Sequence, residues 1–340
     1  MSKTIQFPHP PGAGGPGSFQ IRFEKELLKN GWTISYAGQH EQPDLVFVVG
    51  GTRKLFWLWR MRLKKIPIVY RLDGISWLHK KGQVKLKSYI IGESRNWMSK
   101  CIHAFLADKI VYQSRFVKEW WDQKGWRVRK NMSIVHNGVV IPDKKWIDKA
   151  LSDRNTKRLV ILEGVIDYSP YAVKLLNDLA QKLPQDIQIE LYGKFEKIAE
   201  KNKLDERLQY KGFLNRDNVY EVLFGSVYLS LDIHPACPNT VAEALACGAP
   251  VVAFDTGALP ELVDTSCGKV VPYGSNPWDL EYPDVHSLIK SIIEVFEKYD
   301  TYSKAASKKA IENYILVIMF KKYKAILKNE LNKSSDLHIL

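Results

Sequence analysis

The sequence predicts an α/β protein made of two doubly wound, Rossmann-like domains that face each other across a cleft. Three observations carry this expectation. A chain of 340 residues exceeds one ordinary core and suits two domains of about 150 residues each. Both halves alternate short β-rich runs with longer helical patterns, as in a mainly parallel sheet covered by helices. A polar, charge-rich stretch from Pro142 to Lys157 separates the halves and reads as a linker. The expected bounds are 1–145 and 156–312.

In the first half the strands are expected at Thr4–Phe7, Leu45–Val49, Ile66–Leu72, Lys109–Gln113 and Ser133–His136. A further strand is expected to end near Ser35 and Tyr36. In the second half they fall at Arg158–Leu162, Ile187–Tyr192, Leu208–Gly212, Val227–Leu231, Pro250–Phe254 and Lys269–Pro272. Apolar periodicity places helices over Ser18–Asn30, Tyr171–Leu183, Thr240–Cys247 and Val285–Lys298, with a long final helix from about Tyr302 to Leu331.

Composition narrows the classes. With 45% hydrophobic and 26% charged residues, wholesale disorder and fibrous repeats are excluded. The longest apolar run, Ile315 to Phe320, is far shorter than the ~20 residues of a membrane span. The residues after Met1 carry no apolar leader pattern. The four cysteines, Cys101, Cys237, Cys247 and Cys267, fit neither a zinc site nor a disulfide framework. The chain therefore reads as cytoplasmic.

The charge is unevenly spread. Residues 1–155 hold 28 Lys+Arg and 12 Asp+Glu, net +16, and residues 156–340 hold 22 and 25, net −3, recovering the total of +13. Within residues 45–92 Asp73 stands alone against eleven bases. An anionic surface or substrate for the first half follows, unless the bases form a merely solvated face.

In tandem doubly wound domains, ligands bind beyond the carboxyl ends of the strands, so four loops become candidates. Gly12-Ala13-Gly14-Gly15-Pro16-Gly17-Ser18 follows the first strand and satisfies G-x-G-x-x-G. Its distance from Phe7, and the absence of an acid at Ser35-Tyr36-Ala37-Gly38, argue against a dinucleotide fingerprint and a dehydrogenase. Gly15 and Gly17 still allow close backbone approach to a phosphate or sugar beside a helix N-terminus, if the run is not simply a flexible turn. Tyr70-Arg71-Leu72-Asp73-Gly74 ends a hydrophobic strand. Asp73, set among bases, is expected to stay ionised and to accept a hydrogen bond or proton from a substrate hydroxyl, or else to neutralise Arg71.

His234 to Ala253 is the most informative block. The amides around Asn239, Thr240 and Val241 suit a pyrophosphate, and Glu243 suits ribose hydroxyls. Thr240-x-x-Glu243 also reads as a capping box, so Glu243 has a structural alternative. Asp255-Thr256-Gly257-Ala258-Leu259-Pro260-Glu261 repeats the strand–loop–helix pattern, with Gly257 permitting close approach and Glu261 able to touch the same ligand or to favour the helix start.

At these residues the chain resembles the retaining GT-B glycosyltransferases of family 4 (glycosyl transferases group 1), which use nucleotide sugars. The resemblance covers nearly the whole chain. It rests on the early Gly-Gly-Pro-Gly run, His136-Asn137-Gly138-Val139, Leu191-Tyr192-Gly193, Tyr210-Lys211-Gly212-Phe213, and Glu243 through Val252 with Gly257 and Glu261 beyond. It implies a hexosyl transfer with retention, a C-terminal domain that holds the nucleotide sugar, an N-terminal domain that holds the acceptor, and a last helix (about 315–335) returning to the first domain. Three departures stand out. The family's paired glutamates match Glu243 but fall on Pro235 at the first position. The basic pair that neutralises the diphosphate is missing from Glu163-Gly164-Val165-Ile166-Asp167-Tyr168-Ser169-Pro170, leaving Lys194 or Arg216, amides or a helix dipole for that task. The family's histidine at the end of a first-domain strand aligns with Asp73.

The preferred expectation is a transferase that moves a sugar from a nucleotide sugar to an acceptor hydroxyl, with Asp73 as the catalytic group. Donor contacts come from Gly15, Gly17, Lys194, Asn239, Thr240 and Glu243, and further contacts from Arg71, His234, Gly257 and Glu261. No Asp-x-Asp clamp appears in the candidate loops, so no metal or cofactor is expected. A sugar-nucleotide epimerase and an inactive binding or scaffold subunit are the alternatives. Arg53 to Lys65 carries six bases, no acid, Trp57 and Trp59, and Trp77, Lys80, Lys81, Lys85, Lys87 and Trp97 follow. This pattern suits a helix on an anionic leaflet and a lipid-linked or membrane-borne glycan acceptor, unless Phe56, Trp57 and Trp59 pack on the sheet. No nucleic-acid motif accompanies it.

Overall fold

A computed structural model describes residues 2–12, 14–81, 86–125, 131–142 and 156–336. Most of the expected linker lies outside the described residues, as do Ala13 and Lys85. The chain divides into two compact units, Met1–Gly138 with Leu316–Leu340, and Val139–Ile315.

The first unit holds strands β1 (Thr4–Phe7), β2 (Thr33–Tyr36), β3 (Leu45–Val49), β4 (Ile68–Leu72), β5 (Lys109–Tyr112) and β6 (Met132–Ile134). They pair in the order β2-β1-β3-β4-β5-β6, every pair parallel. The order reverses between β1 and β3, so the loops leaving those strands part there and open a crevice. β3 and β4 are buried along their whole length, because helices cover a parallel sheet on both faces. On one face Phe7 and Phe47 meet Phe19 and Phe23 of helix Gly14–Lys29. Met319, Phe320, Tyr323 and Leu327 complete that layer, spaced as one apolar stripe on helix Leu316–Asp336. Ring centroids lie 4.7 Å apart for Phe23 and Phe47 and 5.1 Å for Phe23 and Tyr323.

The second unit holds β7 (Lys157–Val165), β8 (Ile187–Lys194), β9 (Leu208–Gly212), β10 (Ser226–Ser230), β11 (Val251–Phe254) and β12 (Gly268–Val271). Their order is β12-β11-β10-β7-β8-β9, again all parallel, with the reversal between β7 and β10. Leu159, Ile161, Ile189, Leu191, Val227 and Leu229 from the strands pack with Leu175, Leu176 and Leu179 of helix Ala172–Lys182 and with Leu288 and Ile292 of helix Val285–Glu297.

Three expectations about local structure change. The glycine run is not a loop: helix Gly14–Lys29 begins inside it. The expected long final helix is two helices, Tyr299–Asn313 and Leu316–Asp336. The break at Tyr314 and Ile315 arises because Ile315 forms a β-bridge with Val139, whose amide donates to the Tyr314 carbonyl at 2.8 Å. Buried Tyr314 also donates its hydroxyl to the Leu262 carbonyl. Finally, Thr240 and Glu243 form no capping box. Helix Asn239–Ala246 starts after Pro238, which supplies no side-chain cap.

Candidate functional site

In the first unit the site grows from the ends of β4 and β5. Arg71, the fourth residue of β4, is 1% exposed. Its guanidinium donates to Asp73 Oδ1 at 2.9 Å, Gln113 Oε1 at 2.7 Å and Asn137 Oδ1 at 2.6 Å. Its flat face lies 3.9 Å from the Phe19 ring centroid. The Gln113 amide also donates to Asp73 Oδ1, and the Trp121 indole to the Asp73 carbonyl at 3.1 Å. Asp73 is therefore rigidly held. Burial pushes its carboxyl above the usual range, and Arg71 and Gln113 oppose that shift. Burial thus opposes the ionised form expected from its basic surroundings, while Arg71 and Gln113 support it.

A pocket of about 710 Å³ opens at the β1/β3 reversal, lined by Gly12, Gly17, Gly50, Arg53, Lys54, Asp73 and Arg95 among others. Gly50 has a left-handed φ of 70°, and a Cβ there would sit 2.5 Å from Asp73 Oδ2. At Gly17 a Cβ would meet the Gly12 carbonyl oxygen at 1.7 Å, so the helix start itself demands glycine. Gly15 faces open space and is not part of the lining. His9 at the rim is held below its ordinary value of 6.5 by burial and then by Lys54.

In the second unit the loops after β7, β10 and β11 interlock. The His234 backbone takes a left-handed φ of 55°, and its ring is buried and stacked on Trp278 with centroids 3.6 Å apart. Burial lowers the imidazole to about 4, which leaves it neutral near pH 7. Thr256 donates its hydroxyl to the Asp232 carbonyl at 3.3 Å, and the Ala258 amide donates to the Pro235 carbonyl at 2.9 Å. Gly257 lies against Pro235, where a Cβ would come within 2.5 Å of the proline ring. Its close approach is thus to the chain itself. Glu261 sits on the single turn Leu259–Leu262.

Beside these loops stands a pair that sequence reading missed. Glu163 Oε1 accepts the Leu231 amide at 3.0 Å, Tyr168 donates its hydroxyl to the Leu231 carbonyl, and Asp232 follows at the same turn. Burial raises both carboxyls, Asp232 to about 6, and the charge of Asp232 raises Glu163 further. Both carboxyls are thus held towards their protonated forms. Glu163 lies in the stretch that lacks a basic pair. The N-cap residue of helix Asn239–Ala246, Pro238, gives its first-turn amides no side-chain cap, and Glu243 is buried one turn in. Lys194 ends β8, its amine 4.5 Å from the Phe213 ring centroid. Among the described residues, no three His, Cys, Asp or Glu side chains cluster to hold a metal ion.

The wound order of both sheets recurs in solved structures. HepE (Alr3699) of Anabaena, solved with UDP and glucose, is 16% identical, with 96% of this chain and all of that chain covered and a TM-score of 0.67. Sucrose-phosphate synthase of Thermosynechococcus elongatus is 12% identical over 96% and 98%, with a TM-score of 0.74. A glycosyltransferase of Rickettsia africae is 15% identical over 97% and 99%, with a TM-score of 0.62. No curated protein matches the chain in sequence. Residues 162–297 match the family model of the glycosyl transferases group 1, and the chain has the GT-B fold.

Proposed function

We propose that the protein is a glycosyltransferase that moves a sugar from a nucleotide sugar to an acceptor hydroxyl with the donor's anomeric configuration kept. The carrying observation is the family match over 162–297, which includes helix Asn239–Ala246 and Glu243. In this reading the amides of Asn239 to Val241 meet the diphosphate, Glu243 binds ribose hydroxyls, and Lys194 adds positive charge. Asp73, anchored by Arg71, receives the acceptor hydroxyl in the first unit. Turnover needs no metal, so addition of a chelator leaves the rate within a few-fold.

The acceptor is a lipid-linked or membrane-borne glycan, and the first unit attaches to an anionic leaflet. Support comes from helix Leu55–Leu63, where Leu58 and Met61 are buried while Phe56, Trp59 and Leu63 are 70%, 46% and 62% exposed. Phe56 and Trp59 stack on each other rather than under the sheet. Leu86, Ile90 and Trp97 form a second exposed stripe on helix Leu86–Cys101, and Arg60, Lys65 and Lys87 are exposed nearby in the chain. Rings at the headgroup boundary with adjacent bases favour anionic lipid. Co-sedimentation with anionic vesicles is expected to fall with salt and with neutral substitutions at Arg60 and Lys65. Equal pelleting with neutral vesicles defeats the electrostatic part.

A thermal-shift screen over UDP-, GDP- and ADP-sugars tests the donor, and NMR of the product's anomeric signal tests retention. One observation favours a second reading, a non-catalytic sugar-nucleotide-binding subunit: the stretch that lacks the family's neutralising bases carries Glu163, which is buried beside Asp232. Binding of a sugar nucleotide without turnover on any lipid-linked acceptor would establish it.

A further inference from the structure

The pocket at the β1/β3 reversal carries more charge than a hydroxyl acceptor requires. Arg53, Lys54 and Arg95 line it, and Asp73 is the one acid in the lining. That carboxylate is already engaged by Arg71 and Gln113. Among the described residues no ion pair neutralises Arg53, Lys54 or Arg95. Like charges converge on an open space only at a Coulombic cost, which a bound anion relieves. The first helix opens at the same pocket through Pro16 and Gly17, with no acid in its first turn, so its dipole adds to the positive field.

We infer that this pocket takes the phosphoryl group of a phosphate-bearing acceptor, held by Arg53, Lys54 and Arg95. A phosphate monoester presents more acceptor oxygens and more charge than a carboxylate, and the two guanidinium forks suit it. A volume of about 710 Å³ admits a phosphate together with the polyol or sugar attached to it. Neutral His9 at the rim is a hydrogen-bond partner for the uncharged part of such a ligand. Lys54 directly precedes helix Leu55–Leu63, so a lipid-borne phosphate and a soluble one are the two possible sources of the same chemistry. Calling the ligand an acceptor rests on the transferase reading; the phosphate site itself does not.

The test is calorimetry on the full chain at low salt with UDP at saturation, so that a nucleotide site is already filled. The probes are glycerol phosphate against glycerol, and dioctanoyl phosphatidic acid against dioctanoylglycerol. The phosphate-bearing member of each pair is expected to bind, inorganic phosphate to compete, and Arg95→Ala or the Arg53→Ala/Lys54→Ala double variant to weaken binding about tenfold. UDP affinity and melting temperature stay at parent values in both variants. Tighter binding of phosphatidic acid than of glycerol phosphate identifies a lipid source, and the reverse a soluble one. The inference is overturned if the neutral probes bind equally well, if the variants keep parent affinity, or if they lose UDP instead, which would give the charge to the donor. UDP binding without phosphate-probe binding sinks the inference alone. Phosphate-probe binding in a chain that takes no nucleotide sinks the transferase reading alone.

Discussion

The two units share one winding and differ in what they place at the reversal of strand order. The first buries a guanidinium that pins a carboxylate and rings the opening with bases. The second sets two carboxyls at the corresponding place, and among the described residues no base shifts either of them. The halves of the sequence differ in the same sense, net +16 against −3. The same backbone crevice thus supports opposite fields. In the proposed reading an anion in the first unit would be met by side-chain charge, and one in the second by backbone amides at a helix start.

The comparison breaks most directly at Arg71. Arg71→Ala leaves Asp73, Gln113 and Asn137 without their shared donor inside the core, and a loss of about 3–5 kcal/mol in urea unfolding is expected. A smaller loss would mean that the polar cluster of the first unit relaxes as readily as a surface. Next comes the helix start. Gly17→Ala has no room beneath the Gly12 carbonyl and is expected to cost about 1–3 kcal/mol, whereas Gly15→Ala, in open space, stays within about 1 kcal/mol of the parent. Equal melting of the two variants would show that the glycine run is not sterically determined.

In the second unit, Glu243→Ala is expected to weaken binding of the donor nucleotide about tenfold. A parallel melting curve separates this loss from any structural cost. A variant that binds as well as the parent would give Glu243 a packing role only. The smallest expected effect concerns pH. Asp232 is raised to about 6 from 3.8, so the folded state binds the extra proton, and the stability this confers is lost as pH rises through about 6. Asp232→Asn removes that loss and is expected to melt higher than the parent at pH 7.5 to 8, with the advantage shrinking as pH falls below about 6 and gone only near 3.8. His234, lowered to about 4, acts oppositely: its neutral burial costs stability as pH falls from 6.5 towards 4. Parallel melting curves of Asp232→Asn and the parent at all pH values would remove the carboxyl pair from the comparison.

Much of the fold was legible because a buried parallel strand writes itself as a short apolar run between polar segments. Thr4–Phe7, Leu45–Val49 and Leu208–Gly212 form the strands expected of them, and the helix expected from Thr240 begins one residue earlier. The break at Tyr314 was not legible, because Leu316 to Phe320 continues an apolar helical pattern and only pairing with Val139 interrupts it. Nor was the partner of Gly257, since the contact is to a proline 22 positions back in the sequence.

The candidate site divides along the same line. Arg71, Asp73 and Glu243 were visible as charged residues at strand ends and helix starts, positions that local pattern specifies. Gln113 and Asn137 were not, lying 42 and 66 positions from the Arg71 they hold. Trp278 gave no sign that it would stack on His234, and Asp232 none that it would share a field with Glu163. Sequence alone determined the alternation of strands and helices, the basic character of the first half and the positions from which functional groups emerge, because these follow from periodicity and composition. Which carboxyls burial raises, which glycines are compelled by packing and which bases line one pocket were decided only by tertiary structure. Burial and proximity set those properties, and both are created when distant segments close on one another.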